Sequence, residues 1–115
     1  MSDDVAPPLS IARRWFKALD DRDHAAAAAL VTEDCRITNP TGNDDLVGPA
    51  GVRELVRMAP PTLRRSVREE RVDGDTAIVT GLTRVPGVFA NFTTWRIETD
   101  GRRITRVTFA WRSAN

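Results

Sequence analysis

The sequence predicts a single α+β domain in which helices pack on one face of a curved and largely antiparallel sheet. Three observations support this fold class. The chain has 115 residues, the size of one domain. Helical apolar patterns lie before residue 62, whereas alternating strand patterns fill the remainder. Apolar side chains make up 41% of the residues, enough for a core. The predicted element order is α-α-β-α-β-β-β-β.

The helices follow from apolar periodicity and from capping residues. Residues 1–8 are expected to form a short flexible arm, and residues 9–115 form the domain. The first helix begins at Pro8 or Ser10, and the second spans 24 to about 31 behind the cap Asp23. The third begins at Gly48-Pro49 and ends before Pro60-Pro61. Two apolar stripes face the core: Ile11, Trp15, Ala18 and Leu19 in the first helix, and Val52, Leu55, Val56 and Ala59 in the third.

The strands follow from period-two alternation and from turn residues. A first strand over 35–39 leads into a loop at 40–45. A meander of four strands then covers residues 63–72, 76–85, 89–99 and 104–111. Asp73-Gly74-Asp75 makes a tight turn between the first two of these. Because successive side chains alternate between faces, Asn91, Thr93 and Trp95 should share one face of the sheet.

Composition excludes several classes of function. Seventeen basic and sixteen acidic residues give a net charge of +1, which indicates neither a nucleic-acid nor a membrane partner. The single cysteine excludes an internal disulfide, and one histidine with one cysteine is too few for a zinc site. His24 is interpreted as a solvated residue at a helix start, and Cys35 as a small core residue. No metal or cofactor is predicted, since no glycine-rich nucleotide motif occurs.

The N-terminal sequence predicts a cytoplasmic protein. Residues 1–5 are acidic and lead into no apolar segment of the kind found in secretory signals. No apolar run approaches the ~18 residues that cross a bilayer. Arginine accounts for every basic residue except Lys17, which is typical of a GC-rich bacterial genome.

Four stretches of the sequence carry a family resemblance. They span residues 12–20, 30–42, 48–52 and 104–111, and they include Asn39-Pro40-Thr41-Gly42 and the Gly48-Pro49 helix start. In this order they resemble the nuclear-transport-factor-2-like superfamily, which includes ketosteroid isomerase and the SnoaL-like polyketide cyclases. The resemblance implies a cone-shaped sheet curled around three helices, with an apolar pocket inside. Because this fold hosts many functions, it implies no single activity.

Alternation and the resemblance together predict the residues that line this pocket. The set combines aromatic and aliphatic side chains with a few uncharged polar groups, which is typical of a small-molecule site. The predicted lining residues are Trp15, Ile37, Asn39, Val56, Phe89, Asn91, Thr93, Trp95, Phe109 and Trp111. Each has a structural alternative, because tryptophans often belong to the core and polar side chains often satisfy backbone groups at strand ends.

Ketosteroid isomerase activity is not expected. That reaction uses a carboxylate base together with a phenol and a protonated acid that stabilise the oxyanion. On resemblance, Asn39 occupies the position of the base, Trp15 that of the phenol, and Thr93 or Thr94 that of the acid. An amide cannot accept a proton at neutral pH, so the base is missing.

Other acids remain candidates for a different chemistry. Asp44 and Asp45 border the pocket mouth in related proteins, although a solvated loop pair is the alternative. Glu69 and Glu70 lie on opposite strand faces, so one of them should point inward. Glu69 could form a buried pair with Arg65 beside the pocket, or a cross-strand salt bridge on the surface.

Three functions remain open from the sequence. The first is a pocket protein for a small apolar molecule with a carbonyl or hydroxyl group. The second is a cofactor-free isomerase, cyclase or hydrolase of polyketide-like or terpenoid-like substrates. The third is a structural dimerisation domain. The resemblance also implies a homodimer through the outer sheet face, with a polar interface formed by Arg64, Arg68, Arg96 and Arg106.

Overall fold

The structure is a computed structural model, and it describes residues 5–38 and 45–114. Three helices and six strands make up this part of the chain. The helices are α1 (Pro8–Asp20), α2 (His24–Ala29) and α3 (Gly48–Met58). The strands are β1 (Val31–Thr38), β2 (Leu46–Val47), β3 (Arg64–Asp73), β4 (Thr76–Val85), β5 (Phe89–Thr99) and β6 (Ile104–Ser113).

The six strands form one mixed, curved and unclosed sheet in the order β2-β1-β6-β5-β4-β3. Neighbouring strands run antiparallel except β1 and β6, which are parallel and place Ile37 opposite Val107. The expected α+β fold with a curved, largely antiparallel sheet is therefore confirmed.

Helix α1 packs on the inner face of the sheet through the predicted stripe. Pro8 lies in its first turn, where no backbone N–H is needed. Ile11 and Trp15 are fully buried, whereas Arg13, Arg14 and Lys17 face solvent. Ahead of this helix, the Ala6 N–H donates to the Gly101 carbonyl at 2.7 Å, which ties the chain to the β5–β6 turn.

The boundary between α2 and β1 differs from the prediction. Asp23 caps α2 as expected, accepting from the Ala26 N–H at 3.1 Å. The helix ends at Ala29 rather than near Val31, and Val31 is the first residue of β1, opposite Ile104. The Ile104 N–H donates to the Leu30 carbonyl at 2.7 Å. Pairing of Val31 with a distant strand therefore ends the helix directly after the alanine run.

Strand β2 was not predicted, because two residues are too few to show an alternation of apolar and polar side chains. Leu46 and Val47 pair with Ile37 and Arg36 at the open edge of the sheet. Gly48 follows with φ +65°, and a Cβ there would lie 2.5 Å from the Glu33 carbonyl oxygen. Glycine is therefore required at this junction between β2 and α3.

The strand ends show smaller differences. Strands β4 and β5 have the predicted bounds. Strand β3 is displaced by one residue from the predicted 63–72, and β6 extends beyond the predicted 104–111 to Ser113, which pairs with Asn91. Pairing partners, rather than local alternation, set where these strands end.

A β-bulge in β3 decides which acidic side chain faces inward. The register shifts between Val67 and Glu69, so that Glu69 lies opposite Thr80 and Glu70 lies opposite Val79. Val79 is buried on the inner face, so Glu70 points inward and Glu69 outward. Glu70 accepts from Arg13 of α1 at 2.5 and 3.1 Å, and these bonds lower the pKa of Glu70.

Candidate functional site

A cavity of about 600 Å³ lies between α3, the end of α1 and the inner face of the sheet. Its volume falls within the ~300–1,000 Å³ range of small-molecule pockets. The following residues line it: Leu19, Ile37, Leu46, Leu55, Val56, Met58, Ala59, Leu63, Arg65, Thr83, Phe89, Asn91, Thr93, Trp95, Phe109 and Trp111.

Aromatic side chains of β5 and β6 form one wall of the cavity. The antiparallel register places Trp95 opposite Phe109, and their rings stack with centroids 4.5 Å apart at 21°. Trp111 continues the wall, 6.0 Å from Phe109, and is 43% exposed at the mouth. These aromatic rings give the cavity a largely apolar wall.

Three polar side chains lie in a row across β3, β4 and β5. Arg65 pairs with Thr83, and Thr83 pairs with Asn91. Thr93, the next inward residue on β5, donates to the Thr83 hydroxyl at 3.2 Å. Since neighbouring strands are ~4.8 Å apart, this row gives the cavity a polar edge beside its aromatic wall.

Arg65 is the one charged residue among the described lining residues. Its side chain is 17% exposed, and its Nε and Nη2 both donate to Asp20 Oδ1, at 3.0 and 2.7 Å. The guanidinium carbon also lies 5.5 Å from the Phe16 ring centroid and 5.9 Å from that of Trp95. Together with the Arg13–Glu70 pair, this contact holds α1 against β3.

Of the two positions that the sequence left open for Glu69, the buried pair with Arg65 is not formed. Arg65 binds Asp20 instead, and Glu69 lies in a groove on the outer face with Arg68 and Phe92. The physical reason is the bulge, which inserts one residue between Arg65 and Glu69 and so reverses the direction of the glutamate. Glu69 is therefore not among the groups that line the cavity.

The other predicted site residues divide into four groups. The cavity is lined by Ile37, Val56, Phe89, Asn91, Thr93, Trp95, Phe109 and Trp111. Trp15 lies in the core, 6.1 Å from Trp95, and its buried Nε1 has no hydrogen-bond partner among residues 5–38 and 45–114. Asn39 and Asp44 lie outside the described residues. Asp45 is half-buried and lies 3.5 Å from Arg36.

Several lining residues were missed by the sequence reasoning. Leu55 and Ala59 had been placed on the buried stripe of α3, a signal that could have added them to the pocket. Thr83 and Arg65 occupy inward positions of alternating strands. The sequence placed Arg65 beside the pocket only as a partner of Glu69, and alternation along β4 was the signal that could have added Thr83. Leu46 and Leu63 belong to the segments that flank α3, where no periodicity was available, and Met58 is the last residue of α3, outside its predicted apolar stripe.

The remaining candidates for chemistry lie away from the cavity lining. Burial, with a smaller contribution from the Asp34 carboxylate, raises the pKa of the Cys35 thiol to about 11. That thiol is therefore protonated at neutral pH and is a poor nucleophile. His24 is exposed at the start of α2. No group of three or more potential metal ligands occurs among the described residues. No helix in this part of the chain could span a bilayer.

Comparison with known proteins identifies the family. The model of the SnoaL-like domain matches residues 12–114. No curated protein matches the sequence. Among solved structures, a candidate ketosteroid isomerase from Kribbella flavida is 25% identical, with a TM-score of 0.83 over 97% of this chain and 82% of that one.

Two further structures share the fold at lower identity. A candidate SnoaL-like polyketide cyclase from Shewanella denitrificans is 13% identical, with a TM-score of 0.78 over 91% of this chain and 90% of that one. TerC, co-crystallised with polyporic acid, is 18% identical, with a TM-score of 0.79 over 93% and 92% of the two chains. At these identities the likeness establishes the fold alone.

Proposed function

We propose that this chain, which belongs to the SnoaL-like domain family, binds a small, largely apolar molecule with a carbonyl or hydroxyl group. The observation that carries the proposal is the cavity, whose aromatic wall faces a row of polar side chains. TerC, which shares the fold, was co-crystallised with polyporic acid, an organic small molecule. A cavity of about 600 Å³ also supports binding over a purely structural role.

The proposal does not include ketosteroid isomerase chemistry. The described lining residues contain no carboxylate, and Thr93 donates its hydroxyl proton to Thr83. A general base must lie within hydrogen-bond reach of the proton it removes. The polar lining supports recognition of an oxygen atom rather than proton abstraction.

A second proposal is cofactor-free isomerisation, cyclisation or hydrolysis, because a candidate polyketide cyclase shares the fold. Such a reaction would need an acid from Asp44, Asp45 or Glu69. Glu69 faces outward and Asp45 lies beside Arg36, so this alternative depends on Asp44. Product analysis of each molecule that binds would identify turnover, and replacement of Asp44 by asparagine should then abolish it.

A thermal-shift panel of steroids, terpenoids and polyketide fragments tests the binding proposal. A ligand present at 100 times its dissociation constant should add about 2.7 kcal/mol to the free energy of unfolding. Phe109→Ala should weaken every hit at least about tenfold, because it removes the centre of the aromatic wall. Phe92→Ala, the same change on the outer face, should leave the affinities unchanged. A panel without hits, or equal losses in both variants, would contradict the proposal.

We also propose that two copies pair through the outer face of the sheet. Arg64, Arg68, Arg96 and Arg106 are exposed there. Phe92 lies under the guanidinium groups of Arg68 and Arg112, at 5.1 and 4.8 Å, and offers an aromatic anchor. Sedimentation equilibrium should give twice the chain mass, and Phe92→Ala should shift the protein toward monomer. A wild-type monomer at micromolar concentration would contradict this pairing.

A further inference from the structure

We propose that the molecule bound in the cavity carries an anionic oxygen, as a carboxylate or an ionised enol or phenol on an apolar ring system, and that Arg65 binds this oxygen. The inference rests on the binding function proposed above and specifies its ligand. It also assigns Arg65 as the residue that determines specificity.

The charge distribution of the cavity is the first argument. Arg65 is the one charged side chain among the described residues that line it. A guanidinium beside an apolar cavity keeps its positive charge, so it needs an anionic partner there. Asp20 supplies that partner only from the end of α1, where its side chain is 50% exposed. A ligand anion inside the cavity would be less screened by solvent than this carboxylate.

The geometry of the Arg65–Asp20 pair is the second argument. A fully matched pair joins two nitrogens to two carboxylate oxygens. Here Nε and Nη2 both donate to the single oxygen Oδ1, at 3.0 and 2.7 Å. The Nη1 amino group takes no part in the pair, so its donors are not consumed by Asp20. Asp20 orients the guanidinium and accepts from only some of its N–H donors.

The position of Arg65 in the wall is the third argument. Its guanidinium carbon lies 5.9 Å from the Trp95 ring, which begins the stacked wall with Phe109. Arg65 also begins the polar row that continues through Thr83 to Asn91. An apolar ligand packed against the wall would therefore present an acidic substituent to Arg65 and a neutral oxygen to Asn91.

Titration calorimetry with 2-naphthoate and its uncharged analogue 2-naphthamide, at pH 7 and low salt, tests the inference. The wild-type protein should bind the naphthoate at least about tenfold more tightly than the amide. A hydrogen bond to a charged group raises the binding constant by a factor of this order more than a hydrogen bond to a neutral group does. Arg65→Gln should remove the preference and leave amide affinity within about threefold. Asp20→Asn should strengthen naphthoate binding, because it removes the competing carboxylate.

Arg13→Gln is the matched control. It breaks the other ion pair between α1 and β3 without touching the lining, so the preference for the acid should persist. Arg65→Lys retains the charge without the planar guanidinium and should keep part of the preference for the acid. This variant also keeps the test valid if Arg65→Gln does not fold. Thermal unfolding of each variant establishes that it is folded.

Three results would overturn the inference. If the wild-type protein binds acid and amide equally, the cavity binds ligands but Arg65 does not select anions. If Arg65→Gln weakens both probes equally, the arginine only shapes the wall. If the steroid and terpenoid panel gives hits while neither naphthalene probe binds, the anionic preference is wrong and the binding function stands. Failure of the panel and of both probes would remove the binding function itself.

Discussion

Replacing Trp15 by alanine is expected to lower the free energy of unfolding by about 3–5 kcal/mol. Trp15 is fully buried, and its ring meets Trp95 edge-on at 6.1 Å and Phe16 at 5.6 Å. Removal of the indole would leave a void between α1 and the sheet that the surrounding helices and strands cannot fill. Since domains of this size are stable by only about 5–15 kcal/mol, urea denaturation followed by circular dichroism should show a large shift.

Trp111→Ala is the matched control for this experiment. Trp111 is 43% exposed at the mouth of the cavity, so its removal should cost about 1 kcal/mol or less while weakening ligand binding. The two variants thus distinguish a tryptophan of the core from a tryptophan at the mouth of the cavity. Equal stability losses in the two variants would contradict the placement of Trp15 in the core.

Replacing Gly81 by valine is expected to cost about 3 kcal/mol, although valine is a better strand former than glycine. A Cβ at Gly81 would lie 2.1 Å from the Ser66 carbonyl oxygen and 3.1 Å from the Val67 Cα. These are backbone atoms of the bulged strand β3, so they cannot rotate away as a side chain would. The edge strand would have to separate from β4, and chemical denaturation would report the loss.

Thr80→Val tests whether the loss of stability in Gly81→Val comes from the close approach of the β3 backbone to Gly81. Thr80 precedes Gly81 on β4 and is half-buried on the outer face, so valine there should change stability by less than about 0.5 kcal/mol. Because β3 carries Arg65, Gly81→Val should also abolish the preference for naphthoate. A stable valine variant with intact β3–β4 amide protection would show that the two strands are less close than the structure indicates.

The parts of the fold that the sequence predicted well are those with strong local periodicity. The stripe through Ile11 and Trp15 established α1, and alternation over ten or more residues established the bounds of β4 and β5. The predicted end of α2 was wrong because Val31 pairs with Ile104, a residue far away in the chain. Strand β2 was missed because a two-residue strand depends entirely on its partner in β1.

The residues of the candidate site were likewise predictable where the alternation along a strand is regular. Alternation along β5 placed Asn91, Thr93 and Trp95 on one face, and the structure brings all three to the cavity. Alternation failed for the acids of β3, because a bulge changes the face of every later residue. That bulge lies beside the close approach of Gly81 to Ser66 on the neighbouring strand, which local sequence does not reveal. Whether the cavity side chains bind a ligand stays a prediction.

Intermolecular nuclear Overhauser effects between the tightest-binding molecule of the panel and the protein test the central claim most directly. If the cavity is the binding site, the ligand protons should give cross-peaks to the rings of Trp95 and Phe109 and to the methyl groups of Ile37. Cross-peaks confined to Phe92 on the outer face, with the ligand at saturation, would contradict the claim.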